Sequence, residues 1–183
     1  MSLLAEGARY GSKEDWRKAG KVYREAIALE PDEPTAYFNL GGVLTNSGHN
    51  VEAVQWYLGA KERYTVGSED WAVATAVAFD TLRLKACAAV AKPEWWNDEG
   101  LKALSARVLR AAPNEEPAVD MRAYVLSGLL SDIWEVGPRS AAELNEAAAH
   151  FYRSAVLCNA PALKVGLAGL ADHCRGLAQG HVD

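Results

Sequence analysis

A period of 34 residues, marked by alternating small and aromatic side chains, constrains the fold of this chain more than any other feature. The columns that coincide after a shift of 34 are Gly7 with Gly41, Ala19 with Ala53, Tyr23 with Tyr57, and Ala26 with Ala60. A Gly or Ala lets two helix backbones approach each other, and an aromatic side chain fills the gap beside it. The spacing therefore predicts antiparallel helix pairs packed in series.

Turn and capping residues agree with this interpretation. The segment SGHN (47–50) separates two helical stretches, and EPDEP (30–34) separates one predicted pair from the next. Ser12 followed by Asp15, and Ser140 followed by Glu143, predict capping boxes at helix starts. No useful length of strand alternation is present, so the sequence predicts an all-α chain.

The repeat becomes less regular in the second half. Pro113, which would close the third unit, comes about 12 residues later than the period requires. The insertion falls around VAKPEWWNDEG (90–100) and predicts a lengthened first helix and a longer connection. In the fourth unit, the first helix is predicted over 117–134 and the second over 141–158. A single domain of residues 1–183 is expected, with units at about 2–33, 34–67, 68–114 and 115–160 and a capping helix at about 162–179.

The first two units resemble tetratricopeptide (TPR) repeats. The second unit matches the family pattern at Tyr37, Leu40, Gly41, Ala53, Tyr57 and Ala60, and the first matches it at Gly7, Tyr10, Ala19, Tyr23, Ala26 and Pro31. Two departures are Glu6 at the position of Leu40, and Thr65 at the position of Pro31. The resemblance implies a right-handed α-solenoid of antiparallel helix pairs.

The resemblance also implies a binding site, because in this family the first helices of the pairs line a concave groove that holds a peptide or a helix. The candidate groove residues are Thr35, Phe38, Asn39, Gly42 and Asn46 in the second unit and Glu69, Val73, Ala76 and Asp80 in the third. Asn39 is the leading candidate, because its amide offers a donor and an acceptor to a peptide backbone.

Some family members clamp the C-terminal carboxylate of a chaperone with basic residues and asparagines, and most of that clamp is missing here. Leu4 and Ala8 stand at two of its positions, while Glu69 and Val73 stand at those of the later basic pair. A carboxylate near Glu69 would be repelled. A chaperone tail is therefore disfavoured, and the groove suits a neutral or basic partner of unknown identity.

The adjacent residues Trp95 and Trp96 offer a second candidate contact. If Asn97 caps the helix that follows, Trp96 precedes the cap and is placed to pack onto Leu101. This structural role is favoured for Trp96, while for Trp95 packing and binding are equally acceptable interpretations. Trp134 is expected to pack in an equivalent way.

Charge and cysteine content bound the remaining classes of function. Lys and Arg number 19 against 24 Asp and Glu, a net charge of -5, and no basic stripe indicates nucleic acid as a partner. The three cysteines form no CxxC pair, which predicts a reducing, cytoplasmic location. The N-terminus resembles neither a signal peptide nor an anchor, and the longest apolar run, 71–79, is far shorter than the roughly 18 to 20 residues of a spanning helix. No membrane association is expected.

No catalytic, cofactor or metal motif is recognisable. The four histidines show neither HExxH nor HxxxH spacing, and no GxGxxG, GxxxxGK[ST] or GxSxG occurs. His173 beside Cys174 is better explained as packing or surface, because helix neighbours point about 100° apart. The sequence therefore predicts a non-catalytic protein-interaction scaffold without cofactors. The alternative is a regulatory helical-repeat domain of a larger enzyme assembly, or an unrecognised enzyme.

Overall fold

The computed structural model describes residues 2–129 and 134–180, and helices dominate both segments. The α-helices are α1 (Leu3–Gly11), α2 (Trp16–Leu29), α3 (Pro34–Asn46), α4 (Asn50–Arg63), α5 (Glu69–Leu82), α6 (Asp98–Ala111), α7 (Glu116–Ser127), α8 (Ala141–Leu157) and α9 (Pro161–Gly180). A 3-10 turn, Lys85–Cys87, follows α5. The described segments contain no β-strand, which confirms the predicted all-α fold.

The chain divides into two compact units, an N-terminal unit of residues 1–90 and a C-terminal unit of residues 91–183. In the N-terminal unit each helix from α1 to α5 packs on the next, and in the C-terminal unit each helix from α6 to α9 does the same. The predicted helix pairs α1/α2, α3/α4 and α7/α8 are present. The helices predicted as the third pair, α5 and α6, fall in different units, so the single-domain organisation stays a prediction.

Glycine and tyrosine side by side explain the 34-residue period. A Cβ atom added to Gly7 would lie 2.6 Å from Cε1 of Tyr23, and one added to Gly41 would lie 2.7 Å from Cδ1 of Tyr57. Real Cβ atoms essentially never come so close, because these distances fall inside van der Waals contact. The second helix of each pair therefore lays its tyrosine ring directly on the backbone of the first, as the sequence predicts.

Helix capping follows the sequence at two sites and departs from it at one. Ser140 and Glu143 form the predicted capping box at the start of α8, and Asn97 caps α6 by accepting a hydrogen bond from the Gly100 N–H. The capping box predicted from Ser12 is wrong, because α1 runs as far as Gly11 and Ser12 is its C-cap. Asp15 caps α2 instead.

Two helices are shorter than the sequence predicts. α5 ends at Leu82, so the insertion before α6 lengthens only the connection and not the helix. α7 ends at Ser127 instead of continuing to residue 134, because Gly128 takes a left-handed conformation with φ 65° that terminates a helix. Residues 130–133, in the remainder of the predicted helix, lie outside the described segments. The predicted capping helix is confirmed as α9.

An ion pair anchors the C-terminal unit. The Arg139 side chain is only 6% exposed and donates from both terminal nitrogens to the Asp98 carboxylate, at 2.5 and 2.9 Å. Nη2 also donates to the carbonyl oxygen of Val125 at 3.0 Å. Since Asp98 is the first residue of α6 and Val125 lies in α7, the guanidinium ties the segment before α8 to both helices.

Gly41 is packed against an aromatic ring and Gly169 is not, so adding a methyl group at each position should change the stability in opposite directions. Gly41→Ala should lower the free energy of unfolding by about 1 to 3 kcal/mol, because the methyl overlaps the Tyr57 ring. Gly169→Ala should raise it by up to about 1 kcal/mol, because nothing lies within 4 Å of its Cβ position and alanine favours helix. Urea unfolding followed by circular dichroism measures both. Equal effects of the two variants would contradict the packing described here.

Acid should weaken the C-terminal unit through Asp98. The hydrogen bond from Arg139 lowers the pKa of Asp98 from 3.8 to about 2. A lowered folded-state pKa means that the stabilisation is complete above the unfolded pKa and is lost as the pH falls through the folded pKa. The free energy of unfolding should therefore drop by about 2 kcal/mol between pH 5 and pH 2 through this group.

The double variant Asp98→Asn/Arg139→Met provides the comparison, because Asp98→Asn on its own would leave a buried guanidinium without its carboxylate. Urea unfolding at pH 7, 5 and 3 should give a flatter pH profile for the double variant than for the wild type. Asp32→Asn, at an exposed position in the N-terminal unit, is the control and should keep the wild-type profile. Parallel profiles for wild type and double variant would contradict the role of the pair.

Candidate peptide-binding site

Five of the predicted groove residues share one face of α3. Their positions are separated by three, four, seven and eleven residues from the first, which places them along one helix face; they are Thr35, Phe38, Asn39, Gly42 and Asn46. The first four are half-buried and Asn46 is exposed. The face therefore retains surface that a ligand can contact, although much of it is already packed.

Tyrosines from α2 and α4 hold the two central residues of this face. The Asn39 amide lies beside the hydroxyl of Tyr23, which is in α2. Burial raises the pKa of that hydroxyl, and the Asn39 amide lowers it, which offsets part of the rise. Phe38 packs edge-on against the Tyr57 ring, with centroids 5.5 Å apart. The tyrosines that fill the helix interfaces thus also position Phe38 and Asn39.

The Tyr57 hydroxyl reaches the same part of α3. It lies 3.2 Å from Oγ1 of Thr45, which in turn donates to the Gly41 carbonyl oxygen at 3.0 Å. Burial raises the pKa of Tyr57, the Thr45 hydrogen bond lowers it, and the charge of Asp80 raises it further. The sequence pattern predicts only a packing role for Tyr23 and Tyr57. The hydroxyl groups of these two tyrosines are the feature of the sequence that indicates an additional polar role beside the binding face.

Helix α5 contributes fewer ligand-accessible residues than predicted. Glu69 and Asp80 are exposed and Val73 is half-buried. Ala76 is 1% exposed and presents almost no surface to a ligand in this structure, so its place in the groove stays a prediction. It is covered because α5 is apolar on most of its circumference, and alanines cannot extend beyond their larger neighbours. Asp80 is partly engaged, since its Oδ1 accepts from Arg83 at 2.5 Å.

The second candidate contact, Trp95, belongs to an aromatic cluster in the C-terminal unit. Trp96 is 9% exposed and packs edge-on against Trp134 with centroids 5.9 Å apart, so both side chains are packed, while the expected contact of Trp96 with Leu101 stays a prediction. Trp95 is half-buried, with its ring centroid 5.7 Å from that of Trp96. Trp95 therefore combines packing with some accessible surface.

Neither metal-binding clusters nor membrane-spanning helices occur in the part of the chain that the structure describes. No three His, Cys, Asp or Glu residues in 2–129 and 134–180 are grouped so that they could hold a metal ion. Over the same residues, every helix is too short or too polar to cross a bilayer.

Comparison with known proteins supports the fold. The family model described as TPR repeat matches residues 7–48, which cover α1 to α3. The crystal structure of MamA protein has a TM-score of 0.60 and 13% identity, over 98% of this chain and 84% of that one. The crystal structure of YrrB, described as a TPR protein with an unusual peptide-binding site, has a TM-score of 0.54 and 15% identity, over 97% and 89% of the two chains. No curated protein sequence matches the chain.

These findings agree with the residue pattern and with the geometry of the helix pairs. The matched segment contains Gly7, Tyr23 and Gly41, three of the residues that form the small and aromatic columns. The similarity to MamA and YrrB extends the same fold over nearly all of the chain. The tetratricopeptide-repeat sequence pattern is thus present at residues 7–48, and the fold of the chain is similar to that of MamA and YrrB over nearly all of its length.

Proposed function

We propose that this protein is a non-catalytic scaffold that binds a peptide or helix of a partner protein along the exposed face of α3, with α5 contributing at its side. Proteins of this fold typically mediate protein–protein interactions. The observation that carries the proposal is the pair Phe38 and Asn39, which are held in place by tyrosines and still partly accessible. Preorganised side chains of this kind reduce the entropic cost of binding.

The chemistry of the face favours a neutral or basic partner. Phe38 and Val73 offer apolar contacts, and the amides of Asn39 and Asn46 offer donors and acceptors. Glu69 and Asp80 are the charged groups among the proposed contact residues, and both are acidic. A chaperone-type C-terminal carboxylate would meet repulsion there, so such a tail is not the proposed ligand.

Two further features support the proposal. YrrB, which has a similar fold, is described as having a peptide-binding site, and this makes peptide binding a reasonable extension to the present chain. The net charge of -5 is unfavourable for nucleic acid. An intracellular, reducing location is part of the proposal, and the three cysteines are free and buried.

Replacing Asn39 tests the site directly. Peptides selected from a displayed library on the wild-type protein should bind Asn39→Ala about 3 to 10 times more weakly, because one or more hydrogen bonds to the peptide backbone are lost. The free energy of unfolding should fall by no more than about 1 kcal/mol, because the Tyr23 hydroxyl loses a polar neighbour. Fluorescence anisotropy measures the first effect and urea unfolding measures the second.

Two controls accompany this measurement. Asn145→Ala removes an exposed asparagine from α8 and should leave the peptide affinity unchanged. Trp95→Ala tests the second candidate contact and should also leave it unchanged. If the selected peptides bind Asn39→Ala as tightly as the wild type and lose affinity for Trp95→Ala, the proposed site on α3 is wrong.

A further inference from the structure

Helix α9 has an exposed face that contains no acidic or basic residue. Its inner side is buried and packs on α8; this side consists of Leu167, Ala171, Cys174 and Ala178. Because successive helix residues are about 100° apart, the opposite side, here called the outer face, includes six exposed residues; they are Val165, Gly166, Gly169, His173, Gly176 and Leu177. A terminal helix of a repeat stack needs a polar outer face to remain soluble on its own, and this one lacks it.

The charged residues of α9 lie away from the outer face. The Asp172 carboxylate accepts a hydrogen bond from the hydroxyl of Tyr152 in α8, and the Arg175 guanidinium lies over the same ring, 4.5 Å from its centroid. Lys164 comes two helical turns before Ala171 and therefore lies on the inner side. These three charges are thus directed towards α8 and leave the outer face largely apolar.

Large apolar side chains beside and on the outer face are strongly exposed. Leu163, Val165 and Leu177 are 61%, 75% and 41% exposed. Leu163, Leu170 and Leu177 recur at every seventh position, so they form a row along one edge of the outer face. Val156, near the end of α8, is also exposed. A contiguous apolar surface of this kind marks an interaction site.

The glycines of α9 differ in their surroundings from those of α1 and α3. A Cβ atom added to Gly7 or Gly41 would overlap a tyrosine ring, whereas nothing lies within 4 Å of the Cβ positions of Gly166, Gly169 and Gly176. Each glycine in a helix interior costs about 1 kcal/mol relative to alanine. In α1 and α3 the close approach of a second helix explains the glycine. In α9 the corresponding space holds no described residue of this chain.

The outer face is symmetric about Ala171. Val165 precedes Ala171 by as many positions as Leu177 follows it, and the same holds for Gly166 with Gly176 and for Gly169 with His173. In an antiparallel pair of such helices, related by a two-fold axis near Ala171, valine would meet leucine and glycine would meet glycine, while the remaining glycine makes room for the imidazole. The leucine rows of the two helices would lie side by side. This self-complementarity is what a two-fold interface between identical chains requires.

We propose that the outer face of α9 binds the outer face of a second copy of this chain, in an antiparallel arrangement with a two-fold axis near Ala171. The second copy gives α9 the second neighbouring helix that α7 and α8 already have within their own chain. A helix of this length extends over about 30 Å, so the pair covers on the order of 1,000 Å² in total, near the lower limit for a specific interface. The dimer is therefore weak, with a dissociation constant in the micromolar range. The surface includes none of the residues of the proposed α3 site.

Sedimentation velocity of the full-length protein, at concentrations from about 1 to 200 µM, tests the self-association. We expect a reversible change from a monomer of 19.8 kDa to a dimer as the concentration rises. Val165→Glu should weaken the dimer by on the order of tenfold or more, because its carboxylate would be buried against a leucine of the other copy. Val66→Glu, at a valine of similar exposure in the N-terminal unit, is the matched control and should associate like the wild type.

Gly169→Leu separates association from folding. The leucine side chain would hold the two copies apart and should weaken the dimer by on the order of tenfold or more. The melting temperature, measured at a concentration where the protein is monomeric, should stay the same or rise. The reasons are that nothing lies within 4 Å of the Cβ position in the monomer and that leucine favours helix.

Disulfide trapping tests the antiparallel arrangement. The double variant Val165→Cys/Leu177→Cys should form a covalent dimer on mild oxidation, because position 165 of one copy lies opposite position 177 of the other. Either single variant should form at least about fivefold less covalent dimer, because its thiols lie at opposite ends of the helix pair, far beyond the reach of a disulfide. The three native cysteines are buried, so the wild type provides the background.

The proposal is overturned by any of three results. The protein stays monomeric at every concentration; Val165→Glu or Gly169→Leu associates as tightly as the wild type; or the single cysteine variants crosslink as readily as the double variant. Asn39→Ala should associate like the wild type. Failure of the α3 site and failure of the dimer are therefore distinguishable.

Discussion

The contact between a tyrosine ring and a glycine backbone is the interaction on which the N-terminal unit depends. Tyr23 lies on Gly7 and Tyr57 lies on Gly41, each 16 positions apart in the chain and one period from the other pair. The ring determines the separation of the two helices, because no side chain intervenes. Its hydroxyl then emerges at the face of α3, where it meets Asn39 in one case and Thr45 in the other. Packing and the candidate site therefore share the same two residues.

This coupling explains how much of the fold could be predicted from the sequence. Columns of small and aromatic residues indicate which helices pair. A small residue on one helix must face a large residue on its partner, and this requirement recurs with the 34-residue period. The prediction failed where the deciding feature was a single backbone conformation. Gly128 ends α7 by adopting positive φ, although the apolar pattern around it continues as if the helix did. A pattern of hydrophobicity contains no information about that dihedral angle.

The candidate site was less predictable for a related reason. Phase along α3 correctly placed five residues on one face, because helical periodicity determines direction. It did not determine accessibility, which depends on the size of neighbouring side chains: Ala76 shares the expected phase and is nevertheless covered. The proximity of Asn39 to the Tyr23 hydroxyl also needed three-dimensional information, since the two residues lie in different helices, α3 and α2. The surroundings of a glycine also cannot be predicted from its place in the sequence. The Tyr57 ring lies against Gly41, whereas nothing lies within 4 Å of the Cβ position of Gly169.

The two units also differ in what they are sensitive to. Volume complementarity dominates the N-terminal unit, so its stability should respond to added methyl groups more than to pH. In the C-terminal unit, Arg139 and Asp98 join the segment before α8 to the start of α6, and Lys102 bonds Glu143 across to α8 at 2.7 Å. Burial alone would raise the pKa of Glu143, but the Lys102 and Ser140 bonds bring it to about 2. Both carboxylates remain charged down to low pH. Their ion pairs therefore stabilise the C-terminal unit, which lacks regular repeat columns, and this stabilisation is lost only in acid.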